Sequence, residues 1–260
     1  MANDLQRTRE WYLSRKGKIT ASECYVLLND HKEEIPLTEE EQKQFREEHP
    51  RAKIPETKKV DAPFSTGTFT YLDDKVAEMY MPDNSFIEYM EDRPSNRAMQ
   101  WGTFWEEGAR NRYIEAMGYE VLDAPFIPLK GFENFAGGSP DGCIREERGI
   151  IEIKSPYNPT VHLRHFLYSK PEDLKEDNLQ YYVQCQYNMI CVGREIGNDI
   201  DFCDFISYDP RTSKSKQLKV LRIPADKEMQ QILVERTELA VNYLRQQIDA
   251  INKMESVIKV

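Results

Sequence analysis

Asp141 follows Gly137-Gly138-Ser139-Pro140, and ten residues separate it from Glu152-Ile153-Lys154. In an extended strand successive side chains alternate, so Glu152 and Lys154 share one face while Ile151 and Ile153 share the other. The charged turn Arg145-Glu146-Glu147-Arg148-Gly149 predicts a hairpin that sets Asp141 at the opening of the neighbouring strand. Two carboxylates and one ammonium then converge at one end of a sheet. Hard carboxylate oxygens suit Mg²⁺, with Mn²⁺ as a substitute, and Mg²⁺ keeps places for water and phosphate oxygens. A divalent ion polarises a phosphodiester and generates hydroxide. A neighbouring lysine, its pKa lowered by the ion's charge, holds or deprotonates the water and steadies developing negative charge. Against this stands an ordinary alternative: among 45 acidic residues an Asp and a Glu-x-Lys also meet by accident on a solvated strand. The glycine-rich approach, the β-branched strand and the Ser155-Pro156 stop favour the chemical reading.

The elements that must position these groups follow from the pattern. Trp11, Tyr12 and Leu13 anchor a first helix that Gly17 ends, and Thr20-Ala21-Ser22-Glu23 predicts a capping box opening a short helix through Leu27. Residues 31–62 are charge-dense and broken by Pro36, Pro50 and Pro55, with a solvated helix expected from Leu37 to His49. Residues 66–81 read as helix and 82–97 as irregular. From Asn96 to Met117 a helix places Gly102, Glu106, Ala109 and Tyr113 on one face, and Gly118 stops it. Short strands are expected at Tyr119–Leu122 and Phe126–Leu129, a buried helix at 178–192, strands near 200–207 and 215–223, and a long helix from Asp226. The sum is an α/β (α+β) chain with a central mixed β-sheet flanked by helices. His162 and His165, at i and i+3 on a helix, invite a metal reading but lack a third ligand. Trp105, Tyr157 and Tyr182 could stack on bases, yet each reads first as core.

The 260 residues carry 35 Lys plus Arg against 45 Asp plus Glu, a net charge of −10. Such acidity argues against a nucleic-acid coat protein, which needs a basic excess, and leaves room for a local basic groove. The five cysteines are scattered without a Cys-x-x-Cys pair, so reduced thiols are expected rather than a disulfide framework or structural zinc. The N-terminal residues have no apolar h-region and no run of about 18 apolar residues occurs, which predicts a cytoplasmic protein without a membrane anchor.

Five blocks recur in one order across residues 11–211: W-Y-L-S-R-K-G-K-I-T-A-S-E from Trp11, W-G-T-F-W-E from Trp101, S-P-D-G with E-I-K-S-P from Ser139, Q-C-Q-Y from Gln184 and Y-D-P-R from Tyr208. On these blocks the sequence resembles the phage lambda exonuclease family, the YqaJ-type viral recombinases of the PD-(D/E)xK nuclease superfamily. The resemblance implies a restriction-endonuclease-like core in which Asp141, Glu152 and the backbone carbonyl of Ile153 bind Mg²⁺ and Lys154 serves the nucleophilic water. It implies that Glu106 lies beside the metal centre, although Glu107 competes for that role, and that Gln184 lies near the same site. Arg15, Ser22 and Ser139 match the family's pocket for a 5′-phosphate. Physics is consistent with that match, because an arginine fork suits phosphate and the first turn of a capped helix attracts anions.

The implied activity is Mg²⁺-dependent 5′→3′ exonuclease action on double-stranded DNA ends bearing a 5′-phosphate. It would leave 3′ single strands for a single-strand-annealing recombinase. A homotrimeric ring and a phage or prophage origin in a bacterial host go with the family. Residues 1–260 are expected to form one nuclease domain with a charged insertion at about 31–97, where the connection from Glu23 to Trp101 exceeds the family pattern. Two other readings use the same residues: a PD-(D/E)xK endonuclease of restriction or resolvase type, and a non-catalytic DNA-end or recombination adaptor. The first has no use for an end-phosphate pocket, and an intact Asp141–Glu152–Lys154 set speaks against the second.

Overall fold

A computed structural model describes residues 8–29, 31–93 and 96–254. Thr8 caps helix Arg9–Arg15 (α1) by accepting the Trp11 amide, and Gly17 turns the chain behind it with φ at 66°. Strand Ile19–Thr20 (β1) and a five-residue 3₁₀ helix, Cys24–Leu28, follow. The charged stretch is a hairpin of His31–Pro36 (β2) against Thr57–Ala62 (β3), tipped by helix Glu39–Glu48 (α2), which buries no side chain. Thr66–Tyr80 (α3), Asp83–Glu91 (α4) and Arg97–Met117 (α5) come next. Then the chain changes period through Val121–Leu122 (β4), Ile127–Pro128 (β5), Ala136–Gly138 (β6), Gly142–Ile144 (β7) and Gly149–Lys154 (β8). Helices Pro159–His165 (α6), Pro171–Asp177 (α7) and Leu179–Ile196 (α8) precede strands Phe202–Tyr208 (β9) and Leu218–Pro224 (β10). Helix Lys227–Lys253 (α9) closes the chain.

The central sheet is mixed, in the order β10-β9-β8-β7-β4, with β8 and β9 parallel and the other neighbours antiparallel. Its two faces have different partners. Ile151 and Ile153 of β8 pack with Ile206, Ala109 and Tyr113 under α5. Ile150, Cys203 and Phe205 face Cys185, Met189 and Val192 of α8. The far side of α8, through Val183, Tyr187 and Ile190, forms a second core with α3, α9 and the small sheet β1-β6-β5. Helix α8 is therefore packed on both sides, which is why Tyr182 through Val192 is buried without an exposed stripe. No helix among the described residues is long and apolar enough to cross a membrane.

Three expectations are corrected. Thr20 lies in β1, paired with Gly137, so it cannot act as a helix cap; its hydroxyl turns to the Glu23 carboxylate at 3.2 Å. The helix that follows is a 3₁₀ turn without a side-chain cap, and the dipole argument at Ser22 falls with the capping box. The stretch expected to be irregular after residue 82 contains α4, anchored by the buried ring of Phe86 and by a Lys16–Asp83 ion pair at 2.8 Å; residues 94 and 95 lie outside the described set.

Candidate active site

The alternation along β8 turns Glu152 and Lys154 towards α8. Glu152 is 1% exposed; its Oε1 lies 2.8 Å from Lys154 Nζ and its Oε2 accepts from Asn188 Nδ2 at 3.0 Å. Lys154 Nζ also donates to Gln184 Oε1 at 3.0 Å and lies 4.8 Å from the Tyr181 ring. Asp141 joins them through the hairpin: its amide donates to the Ile151 carbonyl, and its Oδ2 accepts the Ile153 N–H at 2.6 Å. Arg110 of α5 donates to the Asp141 carbonyl and pairs with Asp123 at 3.1 Å.

The electrostatics of this cluster call for a cation. Burial lifts the Glu152 carboxyl up to about 8, with Asp141 and Glu106 pushing the same way and Lys154 opposing. Burial likewise raises Asp141 above the ordinary carboxylate range. Burial works against the charge on Lys154, but Glu152 and Asp141 outweigh it and hold the ammonium above an ordinary lysine. Glu152 and Asp141 thus favour the charged form of Lys154; the lowering expected from the sequence would come from the charge of an ion held by the same carboxylates. Desolvated carboxylates crowded beyond what one lysine neutralises are the setting in which a divalent ion lowers the energy. Among the described residues no three His, Cys, Asp or Glu side chains form a ready-made cage. Two carboxylates with a strand carbonyl is the sparse oxygen set that Mg²⁺ uses, so the residues fit that ion.

The anion-binding candidates gather beside the carboxylates. Arg15 donates to Ser139 Oγ at 2.5 Å and to the Trp11 carbonyl at 2.9 Å, and its guanidinium stacks 4.0 Å from the Trp11 ring. Burial pulls its pKa down to about 10, and no carboxylate among the described residues pairs with it. A buried guanidinium without an acid partner is a place for an anion. A cavity of about 160 Å³ is lined by Arg15, Ser22 and Ser139 together with Asp141 and Gln184. An adjoining cavity of about 260 Å³ adds Glu106, Arg110 and Pro125. Glu106 is half-buried on that wall and Glu107 is exposed, so Glu106 is the glutamate turned to the site.

Of the nine sequence candidates, eight side chains line or bond the two cavities and the carboxylate pair; Ile153, expected to offer its carbonyl, donates its N–H to Asp141. His162 and His165 lie elsewhere, both with Nδ1 at 2.8 Å from Ser207 Oγ and buried, which satisfies them without metal. Tyr182 is core, while Tyr157 is 44% exposed. Sequence reasoning missed Arg110 and Asn188. Each falls four residues after a candidate, Glu106 and Gln184, so helical spacing was the available signal. Gly138 explains why Asn188 fits: a Cβ there would sit 2.4 Å from Asn188 Oδ1.

The sequence profile of the YqaJ-like viral recombinase domain matches residues 10–195. Among solved structures, the chain is similar to an alkaline exonuclease, LHK-Exo, from Laribacter hongkongensis. The identity is 24% and the TM-score 0.63, over 95% of this chain and 97% of that one. The same exonuclease in complex with dAMP gives 25% identity and a TM-score of 0.64 over the same shares. A phage related exonuclease from Haemophilus somnus 129PT gives 16% and 0.54, over 90% of this chain and 96% of that one. Comparison with curated proteins returns no match.

Proposed function

The chain belongs to the YqaJ-like viral recombinase family, and from that premise we propose that it is a Mg²⁺-dependent exonuclease degrading one strand of duplex DNA in the 5′→3′ direction from a 5′-phosphorylated end. The observation that carries this reading is one cavity shared by Arg15, Ser22 and Ser139 and by Asp141. An anion held by the first three lies beside the acidic centre. That juxtaposition serves an enzyme that counts from a phosphorylated terminus, and a restriction- or resolvase-type endonuclease has no use for it. The structural neighbours are named exonucleases, and one is in complex with dAMP, a nucleoside monophosphate of the kind stepwise hydrolysis releases.

Asp141, Glu152 and the carbonyl of Ile153 would hold Mg²⁺, or Mn²⁺ in its place, which when bound supplies Lewis-acid polarisation of the phosphate and an acidified water. Lys154, beside Glu152 and steered by Gln184, holds the attacking water and, with its pKa lowered by the charge of a bound ion, takes the proton the water gives up. The ammonium so formed donates to the oxygens on which negative charge develops. Asn188 fixes the rotamer of Glu152, and Arg110 fixes the backbone that carries Asp141. Arg15, clamped by Ser139 and Trp11, fixes the strand end and so makes the attack unimolecular. The 3′ strand left behind is the substrate of a single-strand-annealing recombinase. A homotrimer enclosing the duplex, and one nuclease domain over residues 1–260, belong to the same reading.

The test is digestion of a 5′-phosphorylated blunt duplex. Wild-type protein releases nucleotides with Mg²⁺ and none with a chelator. Lys154→Ala slows release about 10²- to 10⁴-fold, the usual share of a positioned general acid or base. A Lys154→Ala protein as fast as wild type would exclude the assignment.

A further inference from the structure

We propose that Glu78 and Lys75 of α3, acting with Glu23, are positioning residues that set the shape of the anion pocket and hence the preference for a phosphorylated end; this rests on reading Arg15, Ser22 and Ser139 as that pocket. The segment carrying Arg15 to Ser22 is seated directly on α3. Gly17 donates its N–H to Glu78 Oε2 at 3.0 Å. A Cβ at Gly17 would meet the Met79 side chain at 2.3 Å and the Lys75 carbonyl at 3.2 Å, so the turn behind Arg15 has no freedom to move towards the helix.

The other shoulder of the pocket is tied to the same helix. Lys75 Nζ lies 3.1 Å from Glu78 Oε1 and 3.5 Å from Glu23 Oε2. Glu23 Oε2 accepts from Thr20 Oγ1 at 3.2 Å and from the Tyr71 hydroxyl at 3.3 Å, and Thr20 Oγ1 lies 3.1 Å from Ser22 Oγ. An unbroken polar chain thus runs from the backbone two residues after Arg15, through Glu78, Lys75, Glu23 and Thr20, to the Ser22 hydroxyl. Arg93 closes it from outside at 3.6 Å from Glu78.

The burial of this chain sets it apart from a surface ion pair. The side chains of Lys75 and Glu78 are 8% and 2% exposed. Desolvating such a pair costs about as much as the attraction returns, and apolar residues of the same volume would stabilise the packing equally well. What the pair provides is a fixed spacing, because moving either partner leaves a buried charge uncompensated. Arg15, Ser22, Lys75 and Glu78 all line one cavity of about 150 Å³, so the network and the pocket share a wall. None of its members touches Asp141, Glu152 or Lys154. The predicted consequence therefore falls on recognition of the end and leaves the chemical step alone.

The experiment compares kcat and KM on blunt duplexes with 5′-phosphate and 5′-hydroxyl ends for wild type, Arg15→Ala, Glu78→Gln and Glu23→Gln, with Mg²⁺ present. Glu78→Gln is expected to raise KM for phosphorylated ends about tenfold, the loss of one charge-assisted contact. Its kcat, and both constants on hydroxyl ends, should stay within about twofold of wild type, a margin below 0.5 kcal/mol. Glu23 is partly exposed, so Glu23→Gln keeps the test available if Glu78→Gln fails to fold, and it should move KM in the same direction. An unchanged phosphate preference in both variants, beside a wild type that has one, overturns the positioning role. An equal loss on both kinds of end overturns it too, since that is general weakening. If wild type shows no phosphate preference and Arg15→Ala changes nothing, the pocket reading fails and takes this proposal with it.

Discussion

Glu152 is almost wholly buried, feels the charge of a second carboxylate, Asp141, and is held by Asn188 and Lys154. A fold that keeps such a group has its compensation in something it binds. A ligand that binds only the native state stabilises it, by about 2.7 kcal/mol at a hundredfold excess over Kd. Mg²⁺ should therefore raise the melting temperature of wild type in the absence of DNA and leave Glu152→Gln unmoved; equal shifts in both would contradict the metal assignment. A second residue-scale expectation concerns His165, whose pKa burial pushes down to about 4. An unfolded histidine titrates near about 6.5, so between those values the unfolded chain holds more protons, and stability falls as pH drops through that window. Melting temperature measured from about pH 7 to 4.5 should decline less steeply in His165→Asn than in wild type. At this scale the sequence was informative wherever alternation applied: Glu152 and Lys154 on one face, Ile151 and Ile153 on the other. It was silent on Asn188 and Arg110, because those depend on which helix covers which face.

Helix α5 was legible from end to end, since Asn96, Gly118 and one apolar stripe mark it without tertiary help. Helix α2 falls within the solvated helix expected from Leu37 to His49, and the structure adds a Thr38–Glu41 capping box at its start. The turn at Thr20–Glu23 carries the same local signature and uses it differently. Pairing of β1 with β6 claims the Thr20 backbone, and Glu23 is drawn to Lys75, so tertiary contacts override a local motif. Helix α4 was hidden because Pro82 supplies no side-chain cap and Phe86 is its one buried anchor. The hairpin lobe makes its own prediction. Pro36 pairs with Thr57 and closes the ladder, and within residues 37–56 Leu37 is buried while α2 buries no side chain. Replacing 37–56 by an Asn-Gly turn, which suits a two-residue hairpin, should leave nuclease activity intact and shift the melting temperature by no more than about 4 °C, the equivalent of about 1 kcal/mol. A large loss of stability would place the lobe in the core after all.

Across the whole molecule the net charge of −10 ceases to be a paradox. An enzyme that threads a duplex end needs positive potential where the end is held, and an acidic exterior discourages DNA from settling elsewhere. In the proposed function the anion pocket would supply the first through Arg15, a cation with no acid partner among the described residues. On the proposed function part of the acidity is also chemical, since Asp141 and Glu152 are carboxylates that would take as partner a metal that composition does not count. The measurement that bears most directly on this account uses a linear duplex, 5′-phosphorylated, with the two ends of one strand labelled differently, beside a covalently closed circle, both with Mg²⁺. The account predicts early release of the 5′ label as a mononucleotide, survival of the 3′ label as long single strand, and an untouched circle. Early loss of the 3′ label, or a cut circle, would contradict it.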